Sequence, residues 1–596
     1  MTDTIPALFA RQAAALGRKP LFFVKCSGTY QPITWEQAHA DVRSLGLFLL
    51  SAELKPQDRV LILSENRPEW GIADLAIQSI GAWTVPIYPS LTGDDLHGIC
   101  QDCQPVVCVA SSPDQTKKLL DVSRSIASIR RIIVLEEFSE HHPLIMRWAE
   151  ALVTGREATT NLRDAYEQRQ AQLRAEDTAT LIYTSGTTGE PKGVMLSHRN
   201  FLSNVGACLQ VIPVRSTDLH LSFLPLSHVF ERMAGWYLML SVGATVAYAE
   251  TMETVAQNML EIHPTIMLGV PRFFEKLYAR IQEHLRQAPP LRRRLIDWAL
   301  HVGREAMSYE TAARPIPLGL ALRRTLATQL VFKKFRARLG GRLHFFVSGS
   351  APLAKEIGEF FYSVGVTILE GYGLTETSPV IAVNRLPTPK FGSVGQPIPG
   401  VEVRIAEDGE ILTRGPLVMQ GYYNKPEATA EAIVDGWFST GDIGYLDQHG
   451  DLFITDRKKD LIKTAGGKFV PPQKLENLFI TDPYISQAFV YGDRRPYCVA
   501  LIVPNAEQLR RYAQEQEIVA PSLSHLVNDE RIRAFYWNRV QEQQRNLASF
   551  EQVKKIALLD QEFSQASGEL TPTLKAKRNT IAQRYQTLLE GLYQEP

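Results

Sequence analysis

Hydrophobic and polar positions near the start of the chain follow two different periods. Thr34 and Gln37 stand at capping-box spacing, which marks the start of a helix. Apolar positions then recur at helical spacing, and two short, continuous apolar runs have the length of buried strands. These patterns predict a helix, a strand, a helix and a strand over residues 35–51, 59–64, 70–81 and 82–87. A strand, a helix and a strand at this spacing predict a parallel, right-handed crossover.

The same strand pattern returns further along the chain and predicts a large α/β unit. Short apolar runs predict strands at residues 178–184, 220–224, 243–248, 265–269 and 343–348. Over residues 392–453 the runs are shorter, β-rich and broken by glycines, which is typical of a small β-barrel or curled sheet. A charge-dense stretch at residues 456–460 then precedes a smaller α+β unit. From composition alone, this stretch fits a hinge and an exposed turn equally well.

Residues 286–338 form a strongly basic segment, with twelve Lys and Arg residues against three Asp and Glu residues. Apolar positions recur there near helical spacing, at Leu291, Leu295, Trp298 and Val302 and again at Leu326, Leu330 and Val331. A pair of basic amphipathic helices can rest on an anionic membrane surface. The other interpretation, which we weigh more heavily, is a solvated face above an ordinary core.

Composition and charge exclude several classes of protein. Lys and Arg together number 64, as do Asp and Glu, so the net charge gives no support for nucleic acid as the main partner. Six cysteines in 596 residues argue against a disulfide scaffold. His97, Cys100 and Cys103 have a spacing that would place metal ligands on one side of a helix. No second Cys or His pair follows at zinc-site spacing, so we expect packed thiols instead.

Targeting signals give no reason to place the protein outside the cytoplasm. The N-terminus lacks the basic start and apolar run of a signal peptide. No apolar stretch reaches the length of about 20 residues that a membrane span needs. We therefore expect a cytoplasmic protein, with a peripheral position on the inner face of the cell membrane left open by the basic segment.

Residues 183–193 carry the strongest chemical signal in the chain. An apolar strand leads directly into three glycines, four Ser or Thr hydroxyls and Lys192. Glycines let backbone N–H groups approach anionic oxygens, the hydroxyls add donors, and the lysine adds positive charge. The pattern predicts a phosphate-binding loop, although its glycine and lysine spacing is not that of a Walker A loop.

This loop resembles the phosphate loop of the adenylate-forming superfamily, which includes acyl-CoA synthetases, firefly luciferase and the adenylation domains of peptide synthetases. Further motifs that resemble those of the superfamily follow in its order, at residues 225–228, 348–352, 370–377, 439–442, 456–460 and 571–575. The chain resembles an AMP-forming acyl-CoA synthetase, and bacterial long-chain fatty acid–CoA ligases in particular. The resemblance implies an α/β protein. Residues 1–456 would form a large N-terminal domain of two α/β subdomains and a small β-barrel. Residues 457–596 would form a small, mobile α+β domain.

The resemblance also implies a set of nucleotide-binding residues. Tyr372 would stack on the adenine ring, as an aromatic side chain in a glycine-flanked turn can. Asp442 would accept hydrogen bonds from both ribose hydroxyls, and Arg457 would be a second ribose contact. The other positions implied to bind the nucleotide are Thr184, Ser185, Gly186, Thr187, Thr188, Gly189, Lys192, Ser350, Glu370, Gly371, Gly373 and Thr375.

Four residues are implied to take part in the chemistry or to hold a metal. Lys575 resembles the catalytic lysine that joins the substrate carboxylate to the α-phosphate as negative charge builds up. Glu376, together with Thr184, would hold Mg²⁺ beside the phosphates, which suits the preference of this ion for a few hard oxygen ligands. His228 would line and gate the acyl site rather than act as a general base.

The implied reaction has two steps, in which ATP and a fatty acid give acyl-AMP and pyrophosphate, and coenzyme A then takes the acyl group. The carboxylate is already charged at neutral pH, so the protein needs to align it and neutralise charge rather than deprotonate it. Between the steps the small domain would turn at Lys459, so that Gly466 and Gly467 face the pantetheine arm of coenzyme A. A homodimer is left open.

Acyl length and acceptor are less firmly implied. A segment at about 284–342 is similar to an insert of long-chain synthetases, but residues 464–468 depart from the Ala-Gln-Gly turn of many eukaryotic long-chain enzymes. One alternative is a fatty acyl-AMP ligase that loads an acyl carrier protein, although the intact region from Lys459 to Gly467 favours coenzyme A. A peptide-synthetase adenylation domain and a non-catalytic acyl- or nucleotide-binding protein are further alternatives. The last of these would be expected to lack Lys575 or Glu376.

Overall fold

Two large sheets form the body of the protein. The computed structural model describes residues 3–185, 191–571 and 574–594, and strands and helices are numbered here in chain order. The nine-stranded sheet contains β1 (Pro20–Cys26), β2 (Thr29–Thr34), β10 (Leu219–Ser222), β11 (Thr245–Tyr248), β12 (Ile266–Gly269), β13 (Phe345–Ser348), β14 (Thr367–Gly373), β15 (Val380–Val383) and β16 (Gln396–Pro397). Its spatial order is β16-β15-β14-β13-β12-β10-β11-β1-β2.

The eight-stranded sheet holds the predicted phosphate loop. Its strands are β3 (Arg59–Leu63), β4 (Trp83–Ile87), β5 (Val107–Ala110), β6 (Arg131–Val134), β7 (Ile145–Arg147), β8 (Thr178–Ser185), β9 (Pro191–Ser197) and β19 (Gly421–Tyr422). They lie in the order β19-β9-β8-β4-β3-β5-β6-β7. Strand β3 pairs in parallel with both β4 and β5, whereas β8 and β9 form an antiparallel hairpin.

Helices cover these sheets. In the described residues of this part of the chain they are α1 (Ile5–Leu16), α2 (Trp35–Ser51), α3 (Pro68–Ser79), α4 (Gly93–Cys103), α5 (Pro113–Ser123), α6 (Trp148–Glu157), α7 (Thr159–Gln172), α8 (His198–Leu209), α9 (Leu238–Val242), α10 (Val255–Ile262), α11 (Pro271–Arg286), α12 (Pro290–Thr311), α13 (Leu318–Ala327), α14 (Lys333–Ala337), α15 (Lys355–Ser363) and α16 (Pro426–Ala432). The π-helical segments Glu231–Tyr237 and Thr328–Phe332 and the 3₁₀ turn Thr375–Thr377 lie between them.

The predicted elements near the N-terminus are confirmed. Helix α2 begins at the capping box formed by Thr34 and Gln37, in which each side chain bonds the other residue's backbone N–H. Strand, helix and strand follow as β3, α3 and β4, and the two strands are parallel. Helix α4 carries Cys100 and Cys103, and both thiols are fully buried among apolar side chains. These cysteines therefore contribute to packing, as expected from the sequence.

A five-stranded sheet follows the large sheets in the chain. It contains β17 (Glu402–Ile405), β18 (Glu410–Arg414), β20 (Ile433–Val434), β21 (Trp437–Leu446) and β22 (Leu452–Arg457). Its strands pair in antiparallel fashion. The sheet is the small β unit that the glycine-broken runs predict. Strand β22 ends beside the boundary proposed between residues 456 and 457.

The C-terminal part is a small α+β unit with its own core. A short hairpin of β23 (Ile462–Lys463) and β24 (Phe469–Val470) precedes a three-stranded sheet of β25 (Ile485–Tyr491), β26 (Cys498–Pro504) and β27 (Val553–Leu558). Its helices are α17 (Pro472–Phe479), α18 (Ala506–Glu515), α19 (Leu523–Asn528), α20 (Glu530–Gln544), α21 (Arg578–Arg584) and α22 (Gln586–Gln594). The central strand β26 is buried along its whole length.

Helix α11 touches the small domain through polar groups. The Arg272 guanidinium donates to the backbone oxygen of Ser486 and, at 3.1 Å, to its hydroxyl oxygen. At the other end of the helix, Glu283 accepts a hydrogen bond of 3.0 Å from Arg511. These contacts join the two domains by hydrogen bonds and ion pairs.

The basic segment forms α12, α13, the second π-helical segment and α14. The apolar series predicted for α12 divides between two environments, because Val302 is buried whereas Leu291 is exposed. Of the helices in the described ranges, none combines the length and the apolar character that crossing a bilayer demands.

Candidate active site

The described ends of the predicted phosphate loop lie on the paired strands β8 and β9. Thr184 pairs with Lys192 across the hairpin, and the Thr184 hydroxyl lies 3.5 Å from the Lys192 backbone oxygen. The hairpin is fixed to α4 by the Tyr183 hydroxyl, which donates to Asp102 at 2.5 Å. The predicted phosphate-binding positions Gly186, Thr187, Thr188 and Gly189, and the side chain of Ser185, lie outside the described residues.

Tyr422 contacts both Lys192 of the predicted phosphate loop and Glu376, the predicted metal ligand. The Lys192 ammonium lies 4.9 Å from the ring centre of Tyr422, in cation–π geometry. The Tyr422 hydroxyl donates to Glu376 Oε1 at 2.9 Å. Sequence analysis missed Tyr422, which lies on the two-residue strand β19 beside β9. Tyr422 therefore connects the phosphate loop to the acidic turn.

Glu376 lies in the 3₁₀ turn Thr375–Thr377 at the end of β14. Burial raises the pKa of its carboxyl above the usual range, and the Tyr422 hydrogen bond and the charge of Arg457 oppose that rise. The turn requires glycine at Gly373, because a Cβ there would lie 1.7 Å from the backbone oxygen of Pro379. The backbone thus folds tightly around the predicted metal ligand.

Tyr372, Asp442 and Arg457 form one hydrogen-bonded group. The Tyr372 hydroxyl donates to Asp442 Oδ2 at 2.7 Å, and Arg457 Nε lies 3.2 Å from Asp442 Oδ1. Asp442 and Arg457 face each other across β21 and β22, so sheet register sets their pairing. Burial raises the pKa of Asp442, with Arg457, Tyr372 and Lys575 opposing that rise. Three residues predicted to bind adenine and ribose are therefore brought together.

Lys575 comes from the small domain and lies beside this group. Burial lowers the pKa of its ammonium to about 8; repulsion from Arg457 adds to the decrease, and attraction to Asp442 opposes it. Its backbone N–H donates to the Thr571 hydroxyl at 3.0 Å. The structure thus places the C-terminal lysine next to the large-domain aspartate, and its charge is mostly retained at neutral pH.

His228 lies in the loop between β10 and the first π-helical segment and lines a cavity together with Leu574, the neighbour of Lys575. Its Nδ1 accepts a hydrogen bond of 3.2 Å from the Phe230 backbone N–H. Burial, together with repulsion from Lys575, lowers the pKa of the imidazole to about 3. The ring is therefore neutral at physiological pH, which agrees with a pocket-lining residue.

A narrow cavity opens beside His228. It is lined by Leu224, Pro225, His228, Met252, Val270, Ser350 and Leu574. The backbone of Ser350 is left-handed, with φ of +73°, and its buried hydroxyl has no hydrogen-bond partner among the described residues. The lining is mostly apolar with one unpaired hydroxyl, and the cavity has room for little more than one water molecule, so an acyl chain would have to widen it.

Two charged residues after His228 lie in the core and not in the cavity. Arg232 is fully buried, pairs with Asp74 and donates to the Thr180 hydroxyl on β8 at 2.6 Å. Glu231 accepts from the hydroxyl of Ser222 at 2.6 Å and is also fully buried. Arg232 is thereby hydrogen-bonded to β8 and Glu231 to β10, so both residues help to hold these strands in place.

Glu370 is likewise a buried residue of β14. Its carboxyl accepts from the backbone N–H of Leu353 at 3.3 Å, and burial raises its pKa to about 8. These contacts hold the loop that carries Ser350. A direct contact of Glu370 with the nucleotide stays a prediction, as does that of Gly371, the next residue of the strand.

The predicted hinge and coenzyme A residues are exposed. Lys459 is exposed, two residues after β22. Gly466 and Gly467 are exposed in the turn of the β23–β24 hairpin, and Gly467 has a left-handed φ of +74°. A Cβ on Gly467 would meet no other atom within 4 Å among the residues that the structure describes, so the turn faces open space.

The donor set near Glu376 fits a magnesium ion. A carboxylate and the Thr184 hydroxyl are hard oxygen ligands, and Mg²⁺ is usually held by one or two such groups together with substrate phosphates. Within the described ranges, no group of three or more His, Cys, Asp or Glu side chains forms a cage for a metal. A site completed by phosphates is consistent with that sparse ligand set.

Solved structures share this fold along the whole chain. The adenylation domain of a carboxylate reductase from Mycobacterium chelonae superposes with a TM-score of 0.75 at 23% identity, and the match covers 100% of this chain and 91% of that one. The anthranilate CoA ligase AuaEII, solved in complex with anthranoyl-AMP, gives a TM-score of 0.73 at 18% identity, with 99% and 98% covered. At these identities the match establishes the architecture alone.

Sequence comparison reaches further. The model of the AMP-binding enzyme family matches residues 9–423, and that of the AMP-binding enzyme C-terminal domain matches residues 459–596. The chain is 36% identical over 580 residues to the long-chain-fatty-acid–CoA ligase FadD15 of Mycobacterium bovis, covering 95% of this chain and 93% of that protein. It is 32% identical over 591 residues to the peroxisomal long chain acyl-CoA synthetase 6 of Arabidopsis thaliana, with 95% and 82% covered. The chain therefore belongs to the AMP-binding enzyme family.

Proposed function

We propose that this protein is an AMP-forming long-chain fatty acid–CoA ligase. The observation that carries the proposal is that Lys575, a charged residue of the small domain, lies within electrostatic reach of both Asp442 and His228 of the large domain, and that its neighbour Leu574 lines the cavity beside His228. This arrangement supports the proposal because the residues predicted to bind the nucleotide, a cation and a small apolar cavity lie close together. The names of relatives with more than 30% identity over nearly the whole chain support the same activity.

In the first step, a carboxylate oxygen of the fatty acid attacks the α-phosphorus of ATP. A new P–O bond forms while the bond to pyrophosphate breaks, and no proton has to move because the acid is already ionised. Tyr372 and Asp442 orient the adenosine, and the ammonium of Lys575 stabilises the charge that builds up on the α-phosphate. Neutral His228 and Ser350 border the cavity that takes the acid.

Glu376 and Thr184 are the residues that would hold Mg²⁺. The ion would supply positive charge next to the phosphate oxygens. The Tyr422 hydrogen bond favours the ionised form of Glu376, which burial disfavours by raising its pKa.

In the second step, the sulfur of coenzyme A attacks the carbonyl carbon of the acyl-AMP. A C–S bond forms, the C–O bond to AMP breaks, and the thiol proton passes to solvent. Thiols retain a few per cent of thiolate at neutral pH, so a strong base is not required. We propose that the small domain turns at Lys459 before this step, which moves Lys575 away and brings Gly466 and Gly467 to the site.

A coupled assay tests this function against its nearest alternative. Purified protein with ATP, Mg²⁺ and palmitate should exchange pyrophosphate into ATP, and addition of free coenzyme A should give palmitoyl-CoA and AMP. Transfer to an acyl carrier protein in place of coenzyme A would favour a fatty acyl-AMP ligase. Absence of exchange with every acid from acetate to behenate would refute the proposal, whereas activity confined to short acids would correct the chain length.

The remaining partners are part of the same proposal. We place the enzyme in the cytoplasm, with peripheral contact to the inner face of the cell membrane, where long-chain acids partition. Small molecules are its substrates, and nucleic acid is not among its partners. A homodimer stays a prediction that gel filtration with light scattering would test.

A further inference from the structure

Four leucines on one side of the basic segment are exposed to an unusual degree. Leu318, Leu322, Leu326 and Leu330, here called the leucine stripe, have 91%, 66%, 48% and 47% of their surface accessible. Single exposed leucines are normal on a protein surface, but a contiguous apolar patch generally marks an interaction site. The stripe therefore calls for a partner.

Helix geometry aligns the stripe. Its members are four residues apart, slightly more than one α-helical turn, so the first three lie on one side of α13. Leu320 and Ala327 on the opposite side are buried against the core. Leu330 lies in the π-helical segment Thr328–Phe332, whose wider turn continues the same side beyond the end of α13. The inward-facing residues fix α13 in place while the stripe faces outward.

Cationic side chains surround the stripe. Lys333 and Lys334 follow it directly and are exposed, and in the described ranges no carboxylate lies within 4 Å of either ammonium. Arg323 and Arg324, by contrast, are used in ion pairs with Glu305 and Glu310. Those pairs fasten α13 to α12 and leave the two lysines available for an external anionic partner.

Charge is distributed unevenly along the chain, although its net charge is zero. Residues 286–338 contain nine more basic than acidic residues, and the formal net charge of the chain is zero. The rest of the chain therefore carries nine more acidic than basic residues. An anionic surface attracts the basic segment and repels the remainder, so charge also determines which face would be presented.

Two partners could cover the leucine stripe, a second copy of the chain or an anionic lipid surface, and charge distinguishes between them. In a twofold dimer the same patch meets its own copy, so a basic patch would face like charge. An anionic lipid surface instead offers headgroups for the lysines and an acyl boundary for the leucines. The exposed apolar stripe and its cationic border thus favour a bilayer over a second copy of the chain.

We propose that the leucine stripe and its basic border are the surface through which the protein docks on anionic membranes. This inference deepens, and rests on, the peripheral contact proposed above. The stripe enters the boundary between headgroups and acyl chains while Lys333 and Lys334 contact the headgroups. Helix α13 lies flat on the bilayer and does not cross it. The ligase would then take its acid substrate from the surface in which that acid is dissolved.

Flotation with vesicles tests the apolar half of the proposal. The full chain should bind vesicles of phosphatidylcholine with roughly one third phosphatidylglycerol far better than vesicles of phosphatidylcholine alone. The double variant L318S/L322S should weaken that binding roughly tenfold or more, because two exposed leucines no longer insert. Leu588→Ser, at another exposed leucine, is the matched control and should bind like the parent.

The charged half has its own variants. K333Q/K334Q should lower binding about fivefold for each lysine removed and make it less sensitive to salt. Arg124→Gln, at an exposed arginine outside the segment, should leave binding unchanged. Equal binding by all variants, or binding that ignores phosphatidylglycerol, would overturn the proposal. A parent dimer that dissociates in L318S/L322S, without any vesicle binding, would assign the stripe to a second copy.

Two assays keep this inference separate from the proposed function. ATP–pyrophosphate exchange with decanoate in vesicle-free solution should be the same in all of these variants, because the stripe lies outside the cavity. Protein that floats with anionic vesicles but never activates an acid would refute the ligase proposal and leave the docking surface standing. Enzyme that activates acids but never floats with anionic vesicles would refute the docking surface and leave the ligase proposal standing.

Discussion

Replacement of Tyr422 by phenylalanine tests how the acidic turn is kept ionised. The change removes one hydroxyl and leaves the ring, so the cation–π contact with Lys192 is retained. What is lost is the 2.9 Å hydrogen bond to Glu376, a bond to a charged acceptor worth about 1.5–3 kcal/mol. Burial already raises the pKa of Glu376, and this bond is one of the few contributions that oppose the rise. In Tyr422→Phe the pKa of Glu376 should therefore increase further.

The expected consequence is a loss of acyl-adenylate formation that depends on pH. At neutral pH the same 1.5–3 kcal/mol corresponds to a roughly ten- to hundredfold slower ATP–pyrophosphate exchange. Raising the pH should bring the rate of the variant closer to that of the parent measured at the same pH, because more Glu376 is ionised, and more Mg²⁺ should be needed for half-maximal activity. The acid side of the pH–rate profile should accordingly move to higher pH.

The control is the neighbouring Tyr423→Phe, at a residue whose ring packs edge-on against Trp83. This variant should keep the pH profile and the Mg²⁺ requirement of the parent. A Tyr422→Phe enzyme that loses activity equally at every pH would refute the reasoning, since the loss would then come from packing. An unchanged profile with unchanged Mg²⁺ dependence would show that the hydrogen bond does not hold Glu376 ionised.

Three further predictions follow from individual contacts. Lys575→Ala should abolish acyl-adenylate formation but leave thioester formation from supplied acyl-AMP largely intact. In the parent the first step should slow as pH rises through about 8, where the ammonium loses its proton, and K575R should lack that decline in single-turnover assays. Arg232→Met should cost about 3–5 kcal/mol in urea unfolding, because Asp74 is left buried without its cation, whereas the double variant R232M/D74N should recover part of that loss, because the amide is uncharged and its oxygen still accepts from Gln78 and Thr84. Gly373→Ala should impair folding or activity at the acidic turn, because its Cβ would overlap the Pro379 backbone oxygen; a fully active, equally stable variant would contradict this.

Much of the fold could be predicted because it is encoded locally. The capping box of Thr34 and Gln37 marks the start of α2 correctly, and the apolar runs mark β3 and β4 to within one residue. Glycines and hydroxyls between residues 183 and 193 indicate a phosphate loop by their type and density alone. Such signals depend on near neighbours in the chain, which a sequence displays directly.

What the sequence did not reveal depends on distant contacts. Tyr422 lies on a two-residue strand without a motif of its own, and only its pairing with β9 brings it to Glu376. Arg232 follows the His228 motif closely, yet its partner Asp74 is supplied by a helix far upstream. Periodicity also failed to say which leucines of α12 and α13 are buried, because apolar residues occur on more than one side of each helix.

The contacts between α11 and the small domain have a thermodynamic consequence. Arg272, Glu283 and their partners exchange hydrogen bonds with one another for hydrogen bonds with water when the two domains separate, so each hydrogen bond contributes only about 0.5–3 kcal/mol net. Separation at this contact would therefore replace polar contacts by water and cost only a few kcal/mol. Two orientations of similar energy can be selected by a small difference in ligand affinity, so the substrate bound at each moment would decide which one is populated.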